Sequence, residues 1–414
     1  QLREAAYGDR LCNLRAAKRK ASPKMSSIAD AIVVAGVGMM PVGEHWDLSL
    51  RHLALDAMSA ARSDSGGLRP QALYVANMLA PVLSSQSHLG ALLADFAGLR
   101  GIEASTIEAS GASGGVAVRQ AYLALTSEAI DVALVLGVEK VTDKASSQVQ
   151  AALATTTDSE YEGVQGVTPS TQAALLMQRY LYEHGAPKDS MAGFSLTAHQ
   201  NAVTNPNAMF RKAIQREQYV NAPIVSEPLN TFDVAPLADG ASALVLARAA
   251  ALPNGHDHPR VEIAGSAAAT SALAVHDRSD PLHLTAASQS TDAAMMQTEL
   301  SQEDIGLFEL HDSFSIFAAL SLEAAGFAER GEGWKLAQNG DISLAGNIPI
   351  ATFGGSKARG DPGAATGIYQ LAEATLQLQG RANENQVPDA AIAMTQCLGG
   401  SGATASTHIL RRAD

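Results

Sequence analysis

The chain has 414 residues, enough for two or three domains and a large buried core. Its 29 Lys and Arg stand against 42 Asp and Glu, a formal net charge of -13, which excludes the basic face that nucleic-acid binding demands. With 46% hydrophobic and only 17% charged residues it is poor in charge for a free surface, so part of that surface is expected to be covered by another subunit.

Two cysteines, Cys12 and Cys397, leave no basis for a disulfide framework and fit a reducing, cytoplasmic compartment. No apolar run approaches the ~20 residues needed to cross a bilayer. No pair of histidines or carboxylates stands at helical spacing near a cysteine, so no metal is expected.

Residues 1–26 read as a leader or extension, basic towards Lys24, and regular patterning begins near Ser27. "AIVVAGVGMMPV" is a buried strand, followed by a helix in "LSLRHLALDAMSAARSDSG". "ALYVANML", "STIEAS" and "DVALVLGVEKV" are further strands, separated by helices over Gln86–Ala97 and Val116–Ser127, and "ASALVLARAA" closes this unit as its last strand. Strands apolar on both faces, alternating with helices, predict a layered sheet buried between helices. Between 142 and 239 the texture turns polar and irregular, with helices over Ala173–Tyr182 and Met191–Ala202, the mark of an inserted loop domain.

After the joint "ALPNGHDHPR" the pattern restarts from about 256 to 414: strand "VEIAGSAA", helix "TAASQSTDAAMMQ", strand "LFELHD", helices "FSIFAALSLEAAG" and "PGAATGIYQLAEATLQLQG", and strands "AAIAMTQCLGG" and "ATASTHIL". The second part repeats the element order of 27–250 without a residue-level repeat, which predicts two similar halves in one chain.

"SGASGG", residues 110–115, turns the chain sharply from a strand into a helix, where an α/β enzyme mounts a nucleophile. A helix start lowers a thiol's pKa and offers free amides to an oxygen atom, but Gly111 has no side chain to use. The glycine-rich "FGGSKARG" lacks the Gly-Lys-Ser/Thr ending of a phosphate loop. Lys357 and Arg359 there read as solvated or as neighbours of a cofactor's phosphates. Asp361 followed by Pro362 reads as a cap on a helix starting at Pro362.

"EASGASGG", "HDSFSIFAALSLEAAGFAERGEGW", "FGGSKARGDPGAATG" and "CLGGSG", in this order, resemble the thiolase superfamily, and most nearly its sterol-carrier-protein-type members with a histidine-aspartate signature. The resemblance spans about 32–410. It implies a five-layer αβαβα fold of two similar βαβαβαββ halves, an inserted loop domain, and acyl transfer or carbon-carbon bond cleavage and formation on coenzyme A thioesters in lipid metabolism.

On that resemblance Gly111 occupies the nucleophilic cysteine's position and Asp361 that of the histidine which activates it. His311 matches an oxyanion-hole residue, Asp312 a loop support and Cys397 an acid/base cysteine. Ser110, Ser113, Gln165, Thr168, His199, Gly354, Gly355 and Gly399 match positions that line the substrate and coenzyme A site. The expected ligand is coenzyme A or an acyl-CoA, with no covalently bound cofactor.

Loss of nucleophile and base together argues against standard thiolase activity. It leaves a cysteine-independent retro-aldol cleavage, with His311, Asp361, Cys397 or Tyr369 as acid or base, or a silent acyl-CoA carrier or regulatory subunit. A serine nucleophile at Ser110 or Ser113 is the remaining option and needs a base aimed at its hydroxyl. The partners implied are a second copy of the chain and a small OB-fold protein. An open cavity ending at His311 and Cys397 favours chemistry; Phe353 filling it favours the silent reading.

Overall fold

The computed structural model describes residues 31–253 and 255–413. The leader expected over 1–26 and Cys12 lie outside the described residues.

In the first half, β1 (Ile32–Met39), β2 (Ala72–Ala76), β3 (Glu103–Ile107), β4 (Val132–Glu139) and, after a long insertion, a strand at Gly240–Arg248 run in the spatial order β3, β2, β4, the Gly240–Arg248 strand, β1. The sequence dictates that order. β4 ("VALVLGVE") and Gly240–Arg248 ("GASALVLAR") are buried almost throughout and central, whereas the polar "EASTI" of β3 is left at the edge.

Between these strands come the helices α1 (Leu50–Asp64), α2 (Ala80–Leu83), α3 (Leu89–Phe96) and α4 (Ser113–Thr126). Helix α3 starts later than the predicted Gln86 because His88 sits in the left-handed region at φ 62° and breaks the turn. Helix α4 starts earlier than the predicted Val116, at Ser113.

The insertion holds α5 (Ser146–Ala154), α6 (Pro169–His184), α7 (Ala192–Ala202), α8 (Arg216–Val220) and a short hairpin, β5 (Ile224–Ser226) and β6 (Leu229–Asn230), before β7, the Gly240–Arg248 strand. Helix α6 begins before the predicted Ala173 because Thr168 caps it, its Oγ1 accepting from Thr171 N at 3.3 Å, with Pro169 at the first position.

The second half contains β8 (Arg260–Thr270), α9 (Thr285–Met295), β9 (Leu307–Glu309), α10 (Ser315–Ala324), α11 (Gly333–Asn339), α12 (Thr366–Leu378), β10 (Ile392–Gly399) and β11 (Thr404–Ala413). Its order β8, β11, β10, β9 mirrors β1, β7, β4, β2 of the first half. The two sheets meet through a brief pairing of β1 with β8. The counterpart of β3 is reduced to an isolated parallel bridge, Phe308 with Ile350.

Helices α4 and α12 pack against each other and against both sheets, α1 and α3 cover the outside of the first sheet, and α9 covers the outside of the second. This is the five-layer αβαβα arrangement. The central helices cross at glycines: a Cβ on Gly114 would lie 2.9 Å from Ile368 N and 3.0 Å from Gly367 Cα.

Beneath the start of α4, His408 is buried with Nε2 3.0 Å from Gly115 O and 3.1 Å from Ser406 Oγ. Burial pushes its pKa down to about 4. The unfolded chain accepts a proton on this ring below about pH 6.5 while the folded chain resists it. The stabilisation is therefore complete above about 6.5 and is lost as pH falls towards 4, by about 3 kcal/mol. Denaturant unfolding at a series of pH values is expected to show this acid-side slope in the wild type and its loss in His408→Gln.

Candidate functional site

The turn 109–113 ends β3's connection and opens α4. Ser110 takes φ 53°, and Ser113 Oγ accepts from Ala109 N at 2.8 Å while donating to Ser110 O at 2.6 Å. Ser113 is thus a buried staple of the turn rather than a substrate contact. Ser110 Oγ accepts from Gly400 N at 3.2 Å, tying the turn to the loop after β10.

Opposite stands the chain after β9. Asp312 Oδ1 accepts from Ser356 N at 2.6 Å, fixing the loop that presents His311. The Cε1–Nε2 edge of His311 faces Gly111: a Cβ built there would be 3.0 Å from His311 Cε1 and 2.6 Å from the Leu398 carbonyl oxygen. His311 Nδ1 is buried with no hydrogen-bond partner among the described residues, and burial lowers the ring's pKa, so the imidazole is neutral at neutral pH.

The third wall is the segment before α12. Asp361 Oδ1 accepts from Gly363 N at 3.1 Å and Thr366 Oγ1 at 2.6 Å, capping the one-turn 3₁₀ segment Gly363–Ala365 that leads into α12. Both of these bonds fall on the same oxygen and leave Oδ2 for a ligand. The helix proper starts at Thr366, not at Pro362, whose φ and ψ of -84° and 43° lie outside the helical region.

These groups line one cavity of about 430 Å³, where Gly111, His311 and Asp361 are joined by the apolar Met78, Val149, Leu153, Leu237 and Phe314. Glu44, Trp46 and Lys144 border it as well, and Trp46 is 66% exposed. Two buried carboxylates shape it from behind. Glu139, raised by burial to about 7, accepts from Met78 N and Leu79 N, both at 3.1 Å. Asp239 binds Lys140 Nζ at 2.7 Å and accepts from Val141 N and Thr142 N, so a buried ion pair fixes the wall these two residues form.

Several sequence-predicted residues fall elsewhere. Cys397 is next to the site in sequence but faces away: its Sγ donates to Ala112 O at 3.6 Å, and a Cβ on Gly115 would be 2.5 Å from it. Burial pushes this thiol up to about 12. Tyr369 donates to Met40 O at 2.7 Å and Ala241 O at 2.9 Å inside the core, and Phe353 does not line the cavity.

Gly354, Gly355 and Gly399 serve close backbone packing: side chains there would collide with Ala202, with Asp312 Oδ2 and with Ala109 O. Gln165 is exposed and Thr168 is the cap of α6; the cavity takes Pro169 and Ser170 instead. His199 lines a different cavity.

Lys357 and Arg359, expected in solvent or beside phosphates, are buried. Arg359 Nη1 pairs with Glu373 Oε2 at 2.6 Å and Lys357 Nζ donates to Asp233 O at 2.8 Å. The five-residue π-helical turn Gly355–Arg359 carries both inwards, which single-residue charge gives no way to foresee. Glu44, Trp46, Met78 and Lys144 went unnoticed in the sequence because they come from separate loops with no shared spacing. Among the described residues no cluster suited to a metal ion occurs, and no helix is long and apolar enough to cross a membrane.

With Cys12 replaced by Ser, native protein is expected to resist iodoacetamide at pH 8 and to react at Cys397 only in denaturant, read by intact mass. Fast native labelling would place this thiol in the cavity.

The comparisons with known proteins agree with this architecture. Residues 32–250 match the family model for the thiolase N-terminal domain and residues 267–412 that for the thiolase C-terminal domain-like family. An acetyl-CoA acetyltransferase of Methanothermobacter thermautotrophicus is 39% identical over 92% of this chain and 99% of its own length. Sterol carrier protein 2 of Bos taurus is 27% identical over 75% of this chain and 59% of its own. The solved Ltp2-ChsH2(DUF35) aldolase superposes with a TM-score of 0.78 at 24% identity, covering 93% of this chain and 99% of that one. With both family models matched and a near full-length relative at this identity, the chain belongs to the thiolase family, on the side of its sterol-carrier-protein-2-like members.

Proposed function

We propose that the protein cleaves or forms a carbon-carbon bond in a CoA thioester without a covalent acyl intermediate, its cleavage direction being the retro-aldol breakdown of a 3-hydroxyacyl-CoA. The observation that carries this reading is the cavity lined by His311, Asp361 and Gly111, where a polar pair is present and a thiol is not. The thiolase relationship supports a CoA thioester as ligand, and the aldolase among the structural neighbours supports the reaction class.

In this mechanism the free Asp361 oxygen takes the proton of the 3-hydroxyl, and the Cα–Cβ bond breaks as the hydroxyl carbon becomes a carbonyl. The electron pair moves into the thioester, forming an enolate. His311, neutral and facing Gly111, donates a hydrogen bond to that oxygen, which a buried setting makes stronger than in water. Return of the proton to Cα releases the shortened acyl-CoA and an aldehyde or ketone. The Met78 and Leu153 wall holds the acyl group.

The assembly proposed is a cytoplasmic homodimer paired through the exposed β3 edge, with a small OB-fold subunit at the cavity mouth near Trp46, acting in acyl-CoA and lipid metabolism.

Purified protein is incubated with a 3-hydroxyacyl-CoA and, separately, with acetoacetyl-CoA plus coenzyme A, and products are followed by mass spectrometry. Aldol cleavage is expected, falling about 100-fold or more in His311→Ala and in Asp361→Asn. Thiolysis by the wild type would overturn the proposal, and CoA binding without turnover would select the silent carrier.

Gly111→Cys is expected to stay inactive in thiolysis. Its Cβ meets the Leu398 carbonyl at 2.6 Å and the His311 Cε1 at 3.0 Å, so the thiol is crowded, and Asp361 stands where the resemblance expects the activating histidine. Thiolysis gained by this single change would show that the surrounding site still suits a nucleophile.

A further inference from the structure

A second cavity of about 680 Å³ lies in the inserted region, on the far side of the segment Val234–Ala235, which lines both cavities. Its wall is strongly apolar, with Phe210, Ile214, Val225 and Phe232 prominent. No acidic side chain lines it among the described residues, while Lys357 and His199 contribute to its inner wall and Arg211 and Lys212 are at its rim.

Lys357 is the unusual member. The residue is 2% exposed and its ammonium donates to two backbone carbonyls, Asp233 O at 2.8 Å and Phe232 O at 3.4 Å, so the third proton is unspent. It forms no ion pair with a described carboxylate. The nearest acids are engaged elsewhere: Asp233 with Tyr219 Oη and Asn230 N, Asp312 with Ser356 N. Burial pulls its pKa down and the charges of Asp312 and Asp233, which act on it without a direct ion pair, offset this only in part, so a further anion at the ammonium would be favourable.

His199 is held from one side. Its Nδ1 lies 3.2 Å from Lys212 O and its ring sits between Phe210 and Phe232, which leaves Nε2 free of any partner among the described residues.

We propose that this cavity binds an amphiphilic monocarboxylate, a fatty-acid-type anion, with its carboxylate at Lys357 and His199 and its chain against the apolar wall. One buried ammonium suits a single negative charge. A nucleotide carrying several phosphates fits it poorly, since only Arg211 and Lys212 at the rim remain to meet them. The site is separate from the reaction cavity and does not depend on the activity proposed there.

Titration calorimetry of the full chain with dodecanoate below its micelle concentration tests this. Saturable binding of one molecule per chain is expected, tightening about fourfold per methylene from octanoate upwards. Dodecanol, with the same chain and no charge, is expected to bind at least tenfold more weakly. Ile214→Trp, which fills the cavity from a partly exposed position, is expected to weaken dodecanoate at least tenfold, as is Lys357→Met where it folds. Leu153→Trp, in the reaction cavity, is expected to leave binding unchanged.

Absence of saturable binding, equal binding of dodecanol, insensitivity to Ile214→Trp, loss of binding in Leu153→Trp, or displacement by coenzyme A would each overturn the proposal.

Discussion

The close approach of α4 to α12 is the constraint from which the rest of the site follows. Gly114 and Gly115 on one helix meet Gly367 on the other with backbone against backbone; a side chain at Gly114 or Gly367 would force the helices apart, and one at Gly115 would strike Cys397 and Ser406. Because the contact falls at the first turn of both, it brings two helix starts, one from each half, to a single point. The turn 109–113 and the Asp361 turn are carried there by the same contact, and the loop with His311 reaches them from β9. The candidate cavity is in this sense the place where the internal pseudo-symmetry is closed by glycine.

Around that point several side chains serve as scaffolding. The turn has a serine staple, Asp312 fixes the His311 loop, and the Asp239–Lys140 pair pins the wall at Val141 and Thr142. At position 111 the backbone is closely approached: the Leu398 carbonyl would lie 2.6 Å from a Cβ built there. A neutral imidazole and a carboxylate lining one cavity are groups able to polarise a carbonyl and shuttle a proton.

Much of the fold was legible in the sequence because burial on two faces leaves an unambiguous trace. The unbroken apolar runs of β1, β4 and β7 and the repeated element order gave the layers, and four ordered motifs gave the relationship. The gathering of Gly111, His311 and Asp361 on one cavity was legible because each residue's direction follows from its turn. The site was not legible where direction depends on the parity of a strand or the pitch of a helix: Cys397 and Leu398 are neighbours, and only Leu398 reaches the cavity. The π-helical turn had the same effect on Lys357 and Arg359, whose charges suggested solvent while their winding drew them inwards. Gly354, Gly355 and Gly399, expected along the substrate site, each lie against another part of the chain itself, a closeness that sequence does not reveal.

The two halves differ in one respect that bears on association. The first sheet ends in β3, five residues long, whose outer side is unpaired among the described strands, while the second ends in the three-residue β9 with Ile350 bridged against it. One molecule thus offers a single extended margin for strand addition. Two copies joined along it use the same margin twice, so the union is self-limiting and about a two-fold axis; a fibre would need a second, complementary margin, which the blunted end of the other sheet withholds.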